Sequence, residues 1–117
     1  MTKLVALLSS GKGSWTHVQQ LIASEPWEHI YLITNDFGKE NFSPNPNTSL
    51  LVINTQQSPI ALRDSMIQAL RGKLDGDVAV NFISGNGDEH MALLSALLRL
   101  GSGIRLVIKG ERGMEEL

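Results

Sequence analysis

The chain has 117 residues, of which 42% are hydrophobic, and it carries a formal net charge of −2 with no cysteine. Its length and hydrophobic content predict one domain with a substantial core. Charges of both signs are spread along the chain without a basic run, so direct binding to DNA or RNA is not expected. The lack of cysteine excludes disulfides and thiolate metal sites and is consistent with a cytoplasmic protein, and the apolar run Leu4–Leu8 is too short to span a membrane.

The first part of the chain predicts a strand, a helix and a second strand. Lys3–Leu8 is a nearly continuous apolar run, which is typical of a strand buried on both faces. A polar glycine loop over Ser9–Ser14 ends this strand, and His29–Thr34 is the second predicted strand. The apolar residues between them recur at helical spacing and predict a helix that ends by Pro26: Trp15, Val18, Leu21 and Ile22.

The middle of the chain begins with irregular structure. Its composition predicts a turn over 35–38 and, because it contains two prolines and several Asn and Ser residues, a loop over 39–49. Leu50–Asn54 is a short third strand. Ser58 and Pro59 predict a helix start, with serine as the N-cap and proline in the first helical position, and the helix continues for about thirteen residues.

A strand and a glycine loop follow. Residues 77–83 are mostly apolar and predict the fourth strand. The segment 84–87 interrupts it, and Gly85 and Gly87 are expected to take positive φ values in a sharp turn, so valine at either position should be damaging. Asp88 is the predicted N-cap of the next helix.

The last part of the chain predicts an apolar helix, a fifth strand over Ile104–Ile108 and a loose charged tail over Lys109–Leu117. The helix is apolar around most of its circumference: Met91, Leu93, Leu94, Leu97, Leu98 and Leu100. In one small domain a second subunit is the expected cover for such a helix, which predicts a homodimer. Glutamate at Leu97 or Leu98 should then dissociate or unfold the protein.

Strands that alternate with helices predict an α/β fold, a Rossmann-like three-layer sandwich in which a mainly parallel five-stranded sheet has helices on both faces. Right-handed crossovers favour the strand order 3-2-1-4-5. In that order the first and fourth strands are neighbours whose helices leave on opposite faces, and such a switch point is where these folds bind ligands. The two glycine loops, 9–14 and 84–87, follow these two strands.

The glycine loops supply groups that suit an anionic ligand. Backbone N–H groups at helix N-termini bind phosphate, and Lys12 adds a positive charge. The predicted ligand-binding residues are Ser9, Ser10, Gly11, Lys12, Gly13, Ser14, Asn81, Ser84, Gly85, Asn86 and Gly87. Tight turns in a ligand-free domain need the same small residues, so a purely structural role is the alternative. No cofactor or metal is predicted, because His17, His29 and His90 lack metal-binding spacing.

Three further side chains have two interpretations each. Trp15 would stack on an adenine base or, at its helical spacing, pack in the core, and packing is favoured. Asp88 and Glu89 would serve as a general base pair, but the helix dipole already favours acidic residues in a first turn.

Two segments resemble the CRISPR-associated Rossmann-fold (CARF) family. Residues 5–17, VALLSSGKGSWTH, are similar to its first strand and loop. Residues 81–91, NFISGNGDEHM, are similar to its fourth-strand signature: Asn or Asp, two residues, Ser or Thr with Gly, a polar residue, then Met on an apolar helix. The resemblance covers nearly the whole chain. This sequence departs from the family by two extra residues between Gly85 and Met91, and by acidic residues where the family often has Lys or Arg.

The resemblance implies a homodimer whose paired switch points form one pocket for a small nucleotide ligand, a cyclic oligoadenylate. It also implies an effector protein that the domain controls, and a stand-alone sensor, an excised sensor domain and a ligand-degrading ring nuclease are all open. In a ring nuclease the ligand's own 2′-hydroxyl would be the nucleophile without a metal, and Lys12 and the serines of the first loop would stabilise charge.

Two other classes of protein are the alternatives. The loop Ser9–Ser14 differs at two positions from the Ser-Gly-Gly-Lys-Asp-Ser loop of PP-loop ATP pyrophosphatases, which indicates a degenerate nucleotide-binding module. The missing Asp argues against an active adenylating enzyme. A ligandless dimerisation domain is the other alternative.

Overall fold

The computed structural model of the protein describes residues 2–9 and 13–117. Within these ranges it is an α/β fold with a six-stranded, mostly parallel sheet. The elements in chain order are β1 Lys3–Leu8, α1 Gly13–Ala23, β2 His29–Thr34, α2 Asp36–Asn41, β3 Thr48–Val52, α3 Pro59–Leu70, β4 Asp77–Asn81, α4 Gly87–Arg99, β5 Gly103–Gly110 and β6 Gly113–Glu116. No helix in the described ranges is both long and apolar enough to cross a membrane.

The strand order is β3-β2-β1-β4-β5-β6, and all pairs are parallel except β5 with β6. The predicted order of the first five strands is therefore present, with β1 at the centre between β2 and β4. Leu4 of β1 lies opposite Ile30 of β2 and Ala79 of β4. Because these strands are parallel, their carboxyl ends meet at one edge of the sheet.

A hydrophobic cluster covers each face of the sheet. Alternate residues of β1 belong to different clusters, as the pleat of a strand requires. Leu4 and Leu8 pack with α1 on one face, whereas Val5 and Leu7 pack with α3 and α4 on the other. The central strand is thus buried on both faces, which explains why its sequence is a continuous apolar run.

Residues 36–41 are helical, so the prediction of a turn and loop there was wrong. The side chain of Asn35 caps α2 by accepting a hydrogen bond from the Gly38 N–H at 3.0 Å. Gly38 is needed at this point, since a Cβ would lie 1.8 Å from the Thr34 hydroxyl. A helix of six residues is too short to produce a periodic apolar pattern. The next strand, β3, also begins two residues earlier than predicted and ends at Val52.

The segment predicted as a loose tail forms an ordered hairpin with β5. β5 extends to Gly110, and Gly113, whose φ is 114°, leads the chain back into β6. Arg105 donates two hydrogen bonds to the Glu116 carboxylate across this pair. A charge of the tail is therefore paired with β5 across the hairpin, and this cross-strand pairing is not visible in local composition.

Candidate functional site

The first residues of the two glycine loops, Ser9 and Ser84, meet at the carboxyl edge of the sheet between β1 and β4. The backbone N–H of Ser9 donates to the Ser84 hydroxyl at 3.0 Å, although 75 residues separate the two in the chain. Both residues are buried. We call the region around Ser9, Ser84, Asn86 and Glu89 the β1–β4 crevice. Ser10, Gly11 and Lys12, which were also predicted to bind ligand, lie outside the described residues.

A carboxyl group occupies the centre of the β1–β4 crevice. Oε1 of Glu89 accepts hydrogen bonds from the Ser9 hydroxyl and from the Asn86 N–H, both at 3.0 Å, and Glu89 is only 4% exposed. An internal acid therefore takes up a backbone N–H that a ligand anion would use. The sequence analysis considered a general-base role and the helix dipole for Glu89, and it missed the contact with Ser9 at the end of β1.

Asn86, rather than Asp88, is the N-cap of α4. Its side chain accepts from the Glu89 N–H at 2.9 Å while the Glu89 side chain accepts from the Asn86 N–H, so the two residues form a capping box. The spacing of Asn86 and Glu89 was the sequence signal for this cap. Asp88 is instead exposed in the first turn, where its charge is favourable to the helix dipole.

Only one of the two glycines in the second loop has a positive φ. Gly85 has a φ of 101°, and a Cβ there would lie 2.9 Å from Glu89 Oε1 and 3.0 Å from Leu7 Cδ1. Gly87 is the first residue of α4, and a Cβ on it would meet nothing within 4 Å. The prediction that both glycines are required by the turn is therefore wrong for Gly87, because the chain has already entered the helix there.

The remaining predicted side chains bond mainly to the backbone. Asn81, which is buried, donates to the Val107 carbonyl at 2.8 Å and accepts from the Ile83 N–H at 3.2 Å. These bonds end β4 at Asn81, two residues earlier than predicted, and join it to β5. The Ser84 carbonyl contacts His90 Nε2 at 2.9 Å. Gly13 is exposed at the start of α1 and Ser14 follows it within the helix.

Trp15 packs in the core below the first loop. It is 6% exposed, its indole N–H donates to the Ser9 carbonyl at 2.9 Å, and its ring contacts those of Phe37 and Phe42. The packing interpretation of this tryptophan is therefore confirmed, and its ring is not available for stacking on a base in this arrangement.

The histidines are dispersed over the fold. His17 of α1 faces the Lys109 N–H at 3.3 Å, His29 faces the Ser49 hydroxyl at 2.8 Å, and His90 lies at the β1–β4 crevice. In the ranges that the structure covers, no three His, Asp or Glu side chains are placed to share a metal ion. Two groups with a raised pKa also lie away from the crevice. The hydrogen bond to Asp75 raises the pKa of Lys3, and the hydrogen bond to Glu116 raises the pKa of Arg105.

A second feature of the same edge was missed by the sequence analysis. An open cleft of about 540 Å³ lies at the carboxyl ends of β2 and β3, and we call it the β2–β3 cleft. It is lined chiefly by exposed side chains from α2 and from the segment after β3: Asp36, Phe37, Val52, Asn54, Thr55 and Gln56. Val52 and Asn54 were assigned to the third strand, and the other four lie in segments predicted to connect elements, where there is no periodic signal.

The apolar helix α4 has one buried and one exposed face. Leu93 and Leu97 are completely buried against the sheet, whereas Met91 and Leu98 are 61% and 62% exposed. Leu94 lies on the same exposed face, and Ile60 of α3 is close enough to line a shallow groove with Met91. The sequence predicted that this helix has more apolar surface than the sheet can cover, and this prediction is confirmed.

Neither a known protein-family model nor a curated protein matches the sequence.

Proposed function

We propose that the protein is a Rossmann-like sensor domain that binds a small nucleotide at the β1–β4 crevice, and that its ligand is a cyclic oligoadenylate, as its resemblance to the CARF family implies. One observation carries the proposal: the loops after β1 and β4 are held together, Ser9 to Ser84, at the point where α1 and α4 leave towards opposite faces. Parallel α/β folds bind ligands at such a point.

The acidic groups of the crevice limit how a phosphate can bind. Glu89 already accepts the Asn86 N–H, and Asp88 is exposed beside it. A second anion is therefore disfavoured at the start of α4. In this proposal the phosphates contact the first loop, where Lys12 supplies positive charge and α1 begins at Gly13.

A homodimer is the second part of the proposal. Met91, Leu94 and Leu98 are exposed on one face of α4, and Ile60 of α3 lines a groove with Met91, so apolar side chains of both helices are available for a protein contact. A ligand with two-fold symmetry is bound most simply by a homodimer, which presents the same surface twice. A sensor of this kind would pass the binding signal to an effector protein.

A ligandless dimerisation domain is the second candidate function. The observation that favours it is that Ser9, Ser84 and Glu89 bond to one another and are buried, so these polar groups are satisfied without a ligand. These small polar residues would then serve only to hold the tight turn together.

Thermal unfolding in the presence of ligand separates these functions. Cyclic tetraadenylate, cyclic hexaadenylate and ATP are added separately to the protein. A ligand present at 100 times its Kd stabilises the fold by about 2.7 kcal/mol, or roughly 10 °C for a chain of this size. A shift with a cyclic oligoadenylate supports the sensor, a shift with ATP alone supports a PP-loop-like module, and no shift supports the ligandless domain. Lys12→Ala should reduce the shift without dissociating the dimer.

Sedimentation tests the dimer. The parent protein should sediment as a dimer at micromolar concentration, Leu98→Glu as a folded monomer, and Leu97→Glu should fail to fold because that residue is fully buried. A monomeric parent protein would remove the shared pocket. Product analysis of the incubated ligand decides whether the domain also cleaves it.

A further inference from the structure

The chemistry of the β2–β3 cleft differs from that of the β1–β4 crevice. No lysine or arginine is among its described lining residues, and Asp36 is the charged one. Among the described lining residues a phosphate group would therefore meet a carboxylate and no cation, which disfavours a phosphate there. The described lining therefore suits the uncharged part of a ligand better than its phosphates.

An aromatic ring and amide side chains line the cleft together. Phe37 is 45% exposed although its ring also contacts Trp15 at 5.8 Å between centroids. Asn54 is held in place because its side-chain oxygen accepts from the Gln56 N–H at 2.9 Å, which leaves its NH2 group as a donor. The side chain of Gln56 is exposed and offers both a donor and an acceptor.

These groups suit a planar ring that carries donors and acceptors on its edge. Aromatic side chains stack on nucleobases of any identity, and amide side chains hydrogen-bond base edges. The position of the cleft relative to the β1–β4 crevice also suits a nucleotide. Adjacent strands are about 4.8 Å apart, so the cleft between β2 and β3 lies roughly 10 Å along the sheet edge from the crevice between β1 and β4. That distance is comparable with the size of a nucleotide.

We propose that the β2–β3 cleft is the base-binding subsite of the protein, in which a nucleobase stacks on Phe37 and is hydrogen-bonded by Asn54 and Gln56. The inference rests on the proposed nucleotide-binding function, which it extends from the phosphates to the base. The phosphate of the same nucleotide then lies outside the cleft, on the side of Ser9 and the β1–β4 crevice.

AMP and ribose 5-phosphate are the probes that separate the base from the rest of the nucleotide. Both are titrated into the parent protein, Phe37→Ala, Phe37→Tyr and Gln56→Ala, with binding followed by NMR. Gln68→Ala is the matched control, because Gln68 is an exposed glutamine on α3 outside the cleft. Circular dichroism confirms that each variant is folded, and Gln56→Ala serves as the test should Phe37→Ala unfold.

The expected result is a 5- to 100-fold weaker AMP affinity for Phe37→Ala, about the loss seen when a stacking aromatic is removed. Phe37→Tyr should bind AMP with the affinity of the parent protein, and Gln56→Ala should lose less affinity than Phe37→Ala. Ribose 5-phosphate should bind all variants equally. Where AMP binds too weakly, the same comparison is made with cyclic tetraadenylate. Nucleotide binding that is equal in the parent protein, Phe37→Ala and Gln56→Ala overturns the subsite but leaves the proposed function. A parent protein that binds neither nucleotide at millimolar concentration overturns both.

Discussion

The two halves of the sheet's carboxyl edge use polar residues in opposite ways. In the β1–β4 crevice, Ser9, Ser84 and Glu89 are buried and bond to one another across the strands. In the β2–β3 cleft, Asn54 and Gln56 are exposed beside an open volume, next to the ring of Phe37. Polar residues after a parallel strand therefore have two distinct uses, to hold the edge together or to face solvent and ligands. Substitutions in the crevice should change stability, and substitutions in the cleft should change binding.

Glu89→Ala should have the largest effect. It removes the acceptor of two hydrogen bonds and leaves the Ser9 hydroxyl buried without that partner, and each such loss costs about 1 to 3 kcal/mol. We expect the free energy of unfolding to fall by about 3 kcal/mol in urea denaturation. Glu89→Gln keeps a side-chain oxygen and should lose about 1 kcal/mol. Equal stability of Glu89→Ala and the parent protein would contradict the role of Glu89 as a bridge.

The glycine pair of the second loop gives the next largest effect. Gly85→Ala forces a side chain into a positive φ and towards Glu89 and Leu7, which should cost about 2 kcal/mol. Gly87→Ala places a better helix former in the first turn of α4 with free space around it, so stability should be unchanged or rise by up to about 1 kcal/mol. Thermal melts of the two variants side by side are the measurement. Similar losses in both would mean that the turn extends past Gly85.

Phe37→Ala should have a smaller effect on stability. The ring is nearly half-exposed, so its removal should cost about 1 kcal/mol, less than the 3 to 5 kcal/mol of a buried phenylalanine. Urea denaturation measures this value. A loss as large as that of Glu89→Ala would place Phe37 with the structural residues of the edge and remove the contrast between its two halves.

Gln56→Ala should have the smallest effect on folding. The residue is exposed, and its backbone N–H, which bonds to Asn54, is unaffected by the substitution. The free energy of unfolding should stay within about 0.5 kcal/mol of the parent value, as for most surface substitutions. A clear loss in the same denaturation experiment would show that this side chain supports the loop.

Much of the fold could be predicted because buried strands and capped helices leave local signals. β1 and β2 coincide with their apolar runs, and Ser58 caps α3 by accepting from the Ala61 N–H as its position before Pro59 indicated. The order of the first five strands followed from general rules of connection. These features depend on residues that are close in sequence or on topology common to many proteins.

The rest depends on contacts between distant residues. β6 was missed because its pairing with β5, including the bonds from Arg105 to Glu116, joins distant residues, and its single apolar residue, Met114, gives no local pattern. Glu89 was assigned to its own helix because nothing in the local sequence shows that it reaches Ser9. The predicted site thus included the two loops but left out the carboxyl group that joins them.

The separation of Ser9 from Ser84 in the chain has a consequence for the order of folding. β1, β2 and β3 lie side by side in the sheet through connections of moderate length, and so do β4 and β5. The contact between β1 and β4 closes a much longer loop and has the greater entropic cost. The β1–β4 crevice therefore exists only after the two halves of the sheet have docked. A nascent chain can display the sequence of both glycine loops long before it has anything that could bind a ligand between them.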